Sequence, residues 1–187
     1  MPKRKRRPQG LIAPTALSSF DAEDPDLLVV VIETPKGSRN KYAFDPQERI
    51  FSLTKVLPAG MEFPYDFGFV PSTKAEDGDP LDALVLMDEP AFPGCRLTCR
   101  PIGVIEGVQE GKKSTARNDR IVCVEQGTHS FTHIKHIDAL GDAFEKELED
   151  FFVNYHQLSG KKYRILGVKG PGSARQRVKA CRKGAHP

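Results

Sequence analysis

No stretch of the 187-residue sequence approaches the roughly 18 uninterrupted apolar residues of a membrane span, and the longest apolar run, near Leu27 to Ile32, is strand-sized. A membrane-spanning helix is not expected. Cysteine is scarce: Cys95, Cys99, Cys123 and Cys181 form no CxxC pair and sit near no histidine at zinc-finger spacing. They read as reduced thiols of a cytoplasmic protein. A secretory leader is not expected either, because the apolar stretch after the basic start, Leu11-Ile12-Ala13, is cut short by Pro14. There is no internal repeat. Acids are absent from both ends: residues 1–7 carry Lys3, Arg4, Lys5, Arg6 and Arg7, and residues 169–187 carry Lys169, Arg175, Arg177, Lys179, Arg182 and Lys183. The net charge of +3 hides this, since residues 8–168 hold the other 17 Lys and Arg against all 25 acids, a formal charge of −8.

What remains is the composition of one ordinary folded domain, 39% hydrophobic and 28% charged. A chain of this length buries about 70% of its extended surface and needs no disulfide, metal or partner to fold. Residues 1–26, rich in Pro, Ser, Asp and basic side chains, read as a flexible entry segment, 27–168 as the folded body, and 169–187 as a basic tail.

Short β-rich stretches follow one another through the body. Candidate strands are 27–32, 41–44, 50–53, 83–87, 96–99, 102–106, 121–125 and 163–168, with Pro and Gly between them. One long helical pattern runs from about Asp138 to Leu158. Leu140, Phe144, Leu148, Phe151, Phe152 and Tyr155 recur at spacings of three and four on one face, and Gly160 supplies a stop. The expected fold class is α+β, mainly β: a closed barrel or sandwich with a helix packed on it.

The most informative segment is Asp77-Gly78-Asp79-Pro80-Leu81-Asp82, preceded by Glu76. Crowded carboxylates repel one another, and a hard divalent cation such as Mg²⁺ relieves that repulsion. Gly78 and Pro80 shape a turn that lets Asp77, Asp79 and Asp82 converge. Taken alone, the same acids also describe a solvated turn. No Gly and Glu stand at the spacings an EF-hand needs. Lys36-Gly37-Ser38-Arg39-Asn40-Lys41 offers three cations and a glycine backbone suited to phosphoryl oxygens, and Arg117 and Arg120 flank Asn118-Asp119 in a similar capacity.

Together these segments resemble a family. Glu33 to Tyr42, then Phe63-Pro64-Tyr65-Asp66-Phe67-Gly68-Phe69-Val70-Pro71, then Asp77 to Asp82, Arg100 to Val104, and Phe151 to Tyr155 follow in the order seen in soluble family I inorganic pyrophosphatases. The resemblance covers residues 27–168. It implies a five-stranded oligonucleotide-binding-like β-barrel with a long C-terminal helix, usually hexameric in bacteria. It also implies Mg²⁺-dependent hydrolysis of pyrophosphate to two orthophosphates by metal-activated water.

Carried over residue by residue, the resemblance assigns Asp79, Asp82 and Glu33 to catalysis. It assigns Asp77, Asp79 and Asp82 to the metal, with Asp119 as a replacement ligand if a bulge turns it inward. Lys41, Lys55, Arg120, Tyr155 and His156 would hold substrate. Several positions depart from the family pattern. Lys55 stands for Arg, Arg120 for Lys and His156 for Lys. Ala43 replaces a Glu, Phe63 and Phe67 replace tyrosines, and Gln109 and Asn118 align with two metal-binding aspartates. Losing two carboxylates should lower metal affinity. Two other functions fit the same residues: a metal-dependent hydrolase of another phosphate or phosphonate ester, suggested by Phe63, Phe67 and Ala43, and a catalytically impaired binding protein. The basic tails suggest nucleic acid as a partner, against the plainer reading of solubility.

Overall fold

The computed structural model describes residues 12–111 and 114–182. It contains nine strands: β1 (Leu28–Thr34), β2 (Asn40–Asp45), β3 (Ile50–Val56), β4 (Asp66–Val70), β5 (Leu81–Leu86), β6 (Arg96–Glu110), β7 (Thr115–Arg117), β8 (Arg120–Glu125) and β9 (Lys162–Lys169). Two helices, α1 (Gly141–Gln157) and α2 (Pro171–Cys181), complete it with short 3₁₀ turns at Pro14–Ala16 and Ile137–Leu140. β1 pairs with β4, β4 with β5, β5 in parallel with β8, β8 with β6, and β6 with β1. The pairings close on themselves, giving the five-stranded ring that the resemblance implied. β2 and β3 form a separate hairpin.

Side chains alternate across the strands, so β5 and β8 feed two apolar clusters. Leu81, Ala83 and Val85 of β5 meet Ile121 and Cys123 of β8 in a cluster closed by Ala174, Val178 and Cys181 of α2. Leu84, Leu86, Val122 and Val124 belong to the other cluster, closed by Phe144, Leu148 and Phe152 of α1. Helix α1 matches its predicted stripe. Phe144, Leu148, Phe152 and His156 are its buried residues, one every four positions. The chain then leaves through Ser159 and Gly160, whose N–H groups donate to the His156 and Gln157 carbonyls.

Three expectations change. The strands predicted at 96–99 and 102–106 are one fifteen-residue strand, whose register against β8 shifts between Pro101 and Gly103. A bulge lets proline sit inside a ladder it cannot donate to. Order begins before Leu27, because Ser19 is buried, its hydroxyl donates to the Pro71 carbonyl at 2.6 Å, and Phe20 bridges Leu28. The basic tail from residue 169 is, through Cys181, the end of β9 followed by a packed helix. The cationic residues 3–7 and Lys183 lie outside the described residues. No described helix is long and apolar enough to cross a membrane. Cys95, Cys99, Cys123 and Cys181 are free thiols, all but Cys95 buried.

Candidate functional site

A cleft of about 730 Å³ opens where β1, β2, the acidic loop before β5, the ends of β6 and β8, and the last turn of α1 meet. Its anionic side comes from Glu33 on β1, Asp77 and Asp79 in the loop, and Asp82 on β5. Gly78, at a φ of +96°, takes a left-handed conformation that a side chain would strain, and so lets the loop reverse between the two aspartates. The Ala75 N–H donates to the Asp79 carbonyl at 2.8 Å, and the Asp79 N–H donates to Asp77 Oδ1 at 3.2 Å. The Thr73 hydroxyl staples the base of the loop, donating to the Val70 carbonyl at 2.6 Å and accepting from the Leu81 N–H at 2.9 Å.

Lys41 and Arg120 face these acids. Lys41 Nζ lies 3.3 Å from Glu33 Oε2, with both side chains nearly buried, and 4.2 Å above the Phe67 ring. Glu33 Oε1 accepts the Phe44 N–H at 2.8 Å. Arg120, only 2% exposed, packs against the rings of Phe152 and Tyr163, with centroids 3.8 Å and 4.5 Å from its Cζ. Its Nε stands 3.7 Å from Asp82 Oδ2, and its Nη2 lies 3.0 Å from His156 Nε2. An arginine is always charged, so it donates and His156 Nε2 accepts. Burial, reinforced by the charges of Arg120, Lys161 and Lys55, pulls the His156 pKa down to about 3. The ring is neutral at physiological pH.

The carboxylates are crowded. Burial pushes Asp82 up to about 6 against the pull of Arg120 and Lys41, with Glu33 and Asp77 adding to the rise. Burial also raises Asp77; the Asp79 N–H opposes that rise and the Asp79 charge adds to it. Oxygen donors whose ionised forms are this strained fit a hard divalent cation. Among the described residues no three His, Cys, Asp or Glu side chains converge as a finished cage. Glu33, Asp77, Asp79 and Asp82 would therefore hold such an ion in part through water, as Mg²⁺ commonly is held.

Most predicted site residues are brought together here: Glu33, Lys41, Asp77, Asp79, Asp82, Arg120, Tyr155 and His156 all line the cleft. Lys55 stands at its edge, bonded to the Ser159 hydroxyl and 4.8 Å from the Tyr155 ring centroid. Burial raises the Tyr155 hydroxyl, with Asp82 adding to it. Gln109 and Asn118 both line the cleft; Asn118 Nδ2 donates to Gln109 Oε1 at 3.2 Å and reaches Asp77 Oδ2 at 3.5 Å.

Asp119 is not brought in. It is the correction to the predicted ligand set: strand alternation turns it opposite to Asn118 and Arg120, and no bulge reverses it. Its buried carboxylate lies 2.7 Å from both Arg117 Nε and Arg177 Nε. Arg117 is thereby also drawn away from any phosphate. In the segment 36–41 only Lys41 lines the cleft, while Arg39 donates to the Leu57 carbonyl. Sequence reasoning missed Lys161, which lines the cleft just beyond α1; its signal was a lysine following the Tyr155-His156 pair.

Comparison with known proteins agrees with this geometry. The family model described as inorganic pyrophosphatase matches residues 30–186. The inorganic pyrophosphatase of Synechocystis is 42% identical over 157 residues, covering 84% of this chain and 90% of that protein. That of Methanosarcina acetivorans is 38% identical over 155 residues, covering 83% and 90%. The crystal structure of the inorganic pyrophosphatase from Thermus thermophilus superimposes with a TM-score of 0.82 at 34% identity, covering 91% of this chain and 97% of that one. With a family match across most of its length and relatives above 30% identity over more than four fifths of it, the chain belongs to the inorganic pyrophosphatase family.

Proposed function

We propose that the cleft is where this chain hydrolyses inorganic pyrophosphate to two orthophosphates, with Mg²⁺ as the divalent cation. The observation that carries this is the opposition of four carboxylates to Lys41 and Arg120 across one cleft in a member of this family. A divalent cation, when bound, acidifies a water and offsets charge on the leaving phosphate. Glu33, Asp77, Asp79 and Asp82 hold it and repel any anion that arrives without it. Asp79 or Asp82 orients the attacking water and accepts its proton. Lys41, seated on Phe67, and Arg120, packed against Phe152 and Tyr163, present fixed positive charge to phosphoryl oxygens. Tyr155 offers a hydroxyl, Lys55 and Lys161 add charge at the edge, and neutral His156 holds Arg120 in place as an acceptor.

Phe63 and Phe67 line the cleft but are only 1% and 6% exposed and lie beneath Lys41, whose ammonium group they steady, so they leave little apolar surface for an organic ester. Pyrophosphate is favoured over a phosphate or phosphonate ester for that reason. The test is orthophosphate release from pyrophosphate by the purified protein with millimolar Mg²⁺. Release is expected, and Asp82→Asn should abolish it. Absence of release with Mg²⁺, Mn²⁺, Co²⁺ and Zn²⁺ alike would overturn the assignment. A homo-oligomer, for which the family resemblance suggests a hexamer, is proposed on the exposed apolar side chains Ile50, Leu53 and Val56 of β3. A cytoplasmic location is proposed on the four free thiols.

A further inference from the structure

We infer that Arg177 of α2 is a positioning residue for the cleft, tying the acidic loop and the Asn118–Arg120 segment to one buried carboxylate. This rests on the proposed pyrophosphatase reading of the cleft. Asp119 has a side chain only 1% exposed, and an uncompensated charge there is costly. Three groups face it. The Gly107 N–H donates to Oδ1 at 3.0 Å, Arg117 Nε donates to Oδ1 at 2.7 Å, and Arg177 Nε stands 2.7 Å from Oδ2 in a close ion contact off the hydrogen-bond axis. Because Asp119 lies between Asn118 and Arg120, pinning it on the far face sets where those two side chains enter the cleft.

The same two arginines reach the acidic loop. Arg177 Nη2 lies 3.9 Å from Glu76 Oε1, and the Arg117 N–H donates to Glu76 Oε2 at 3.2 Å. Glu76 immediately precedes Asp77. A second tie runs from the end of the same helix, where the Lys74 N–H donates to the Cys181 carbonyl at 2.7 Å and Thr73 bridges Arg182. Helix α2 and the Arg182 that follows it therefore hold the loop at residues 73, 74 and 76 and the segment leading into β8 at 119. Arg117 divides its charge between Asp119 and Glu106, whose Oε1 its Nη2 meets at 2.7 Å, so Asp119 draws on a second cation. Arg177 supplies that charge and also reaches Glu76.

The test compares full-length Arg177→Gln, Arg177→Lys and Val178→Ala. Val178 is buried on the same helix, does not line the cleft and takes no part in the ion pairs, so its truncation loosens α2 without removing the tie. Mg²⁺ binding is measured by calorimetry and amide exchange is followed across residues 74–82, both well below each variant's unfolding midpoint. Arg177→Gln should weaken Mg²⁺ binding by about tenfold, the usual effect of losing a residue that orients a ligand, with Arg177→Lys recovering part of it. Exchange in the loop should rise in Arg177→Gln and not in Val178→Ala. The inference is overturned if the glutamine and alanine variants lower thermal stability alike while both keep parental Mg²⁺ binding and loop exchange. If the parent releases no orthophosphate, the functional reading fails, and the exchange comparison still decides the role of Arg177.

Discussion

His156 is held neutral by its surroundings, and that has a pH signature. Its folded pKa of about 3 lies below the ordinary value of 6.5, so between those limits the unfolded chain binds a proton that the folded chain refuses. This contribution to stability is complete above pH 6.5 and is lost as pH falls toward 3. Asp66, raised to about 6 by burial, works in the opposite sense, so the informative quantity is the difference between parent and variant. Between pH 7 and 5, urea titration should find the parent losing about 2 kcal/mol more than His156→Gln does. A second residue effect is steric. A methyl group at Gly107 would meet the Tyr163 hydroxyl at 2.0 Å, and that hydroxyl donates to the Asn118 carbonyl at 3.2 Å. Gly107→Ala should cost about 1–3 kcal/mol by thermal unfolding. The clustering of Glu33, Lys41 and Asp82 was legible in the sequence because motif order carries it. Asp119 was not, since a one-residue question of strand register decides its face.

Elements differ in how plainly they were written. The α1 stripe is broad and aromatic, so its period stands out from its neighbours. β4 carries Asp66 and Gly68 among apolar residues and is buried at all five positions, which removes the polar alternation that marks a half-exposed strand. α2 was concealed by its composition. Its apolar stripe is only Ala174, Val178 and Cys181, while its arginines hid their role, because whether a cation is solvated or paired depends on residues far away in the chain. Arg175 approaches Asp26 at 3.8 Å and Arg177 meets Asp119 and Glu76. Those ion pairs engage two of the six cations in the segment whose charge suggested a nucleic-acid partner. Val178→Ala should destabilise the protein by about 2 kcal/mol, read as a lower urea midpoint at an unchanged slope.

For the molecule as a whole, an acidic body fits a cleft that gathers cations, and the exposed apolar residues of β3 fit association between copies. Light scattering should return a mass that is a multiple of 20.7 kDa greater than one; a single 20.7 kDa particle would remove the oligomer proposal. The ring closes only when β1 pairs with β6, setting Leu28 opposite Cys99 across most of the barrel's sequence. Contacts of that separation must overcome the entropy of closing a long loop before they contribute anything, which slows folding. The tie from Arg177 adds a partner synthesised well after the acidic loop. A growing chain therefore has its acids before their settings, and the cleft should mature only once α2 has been made.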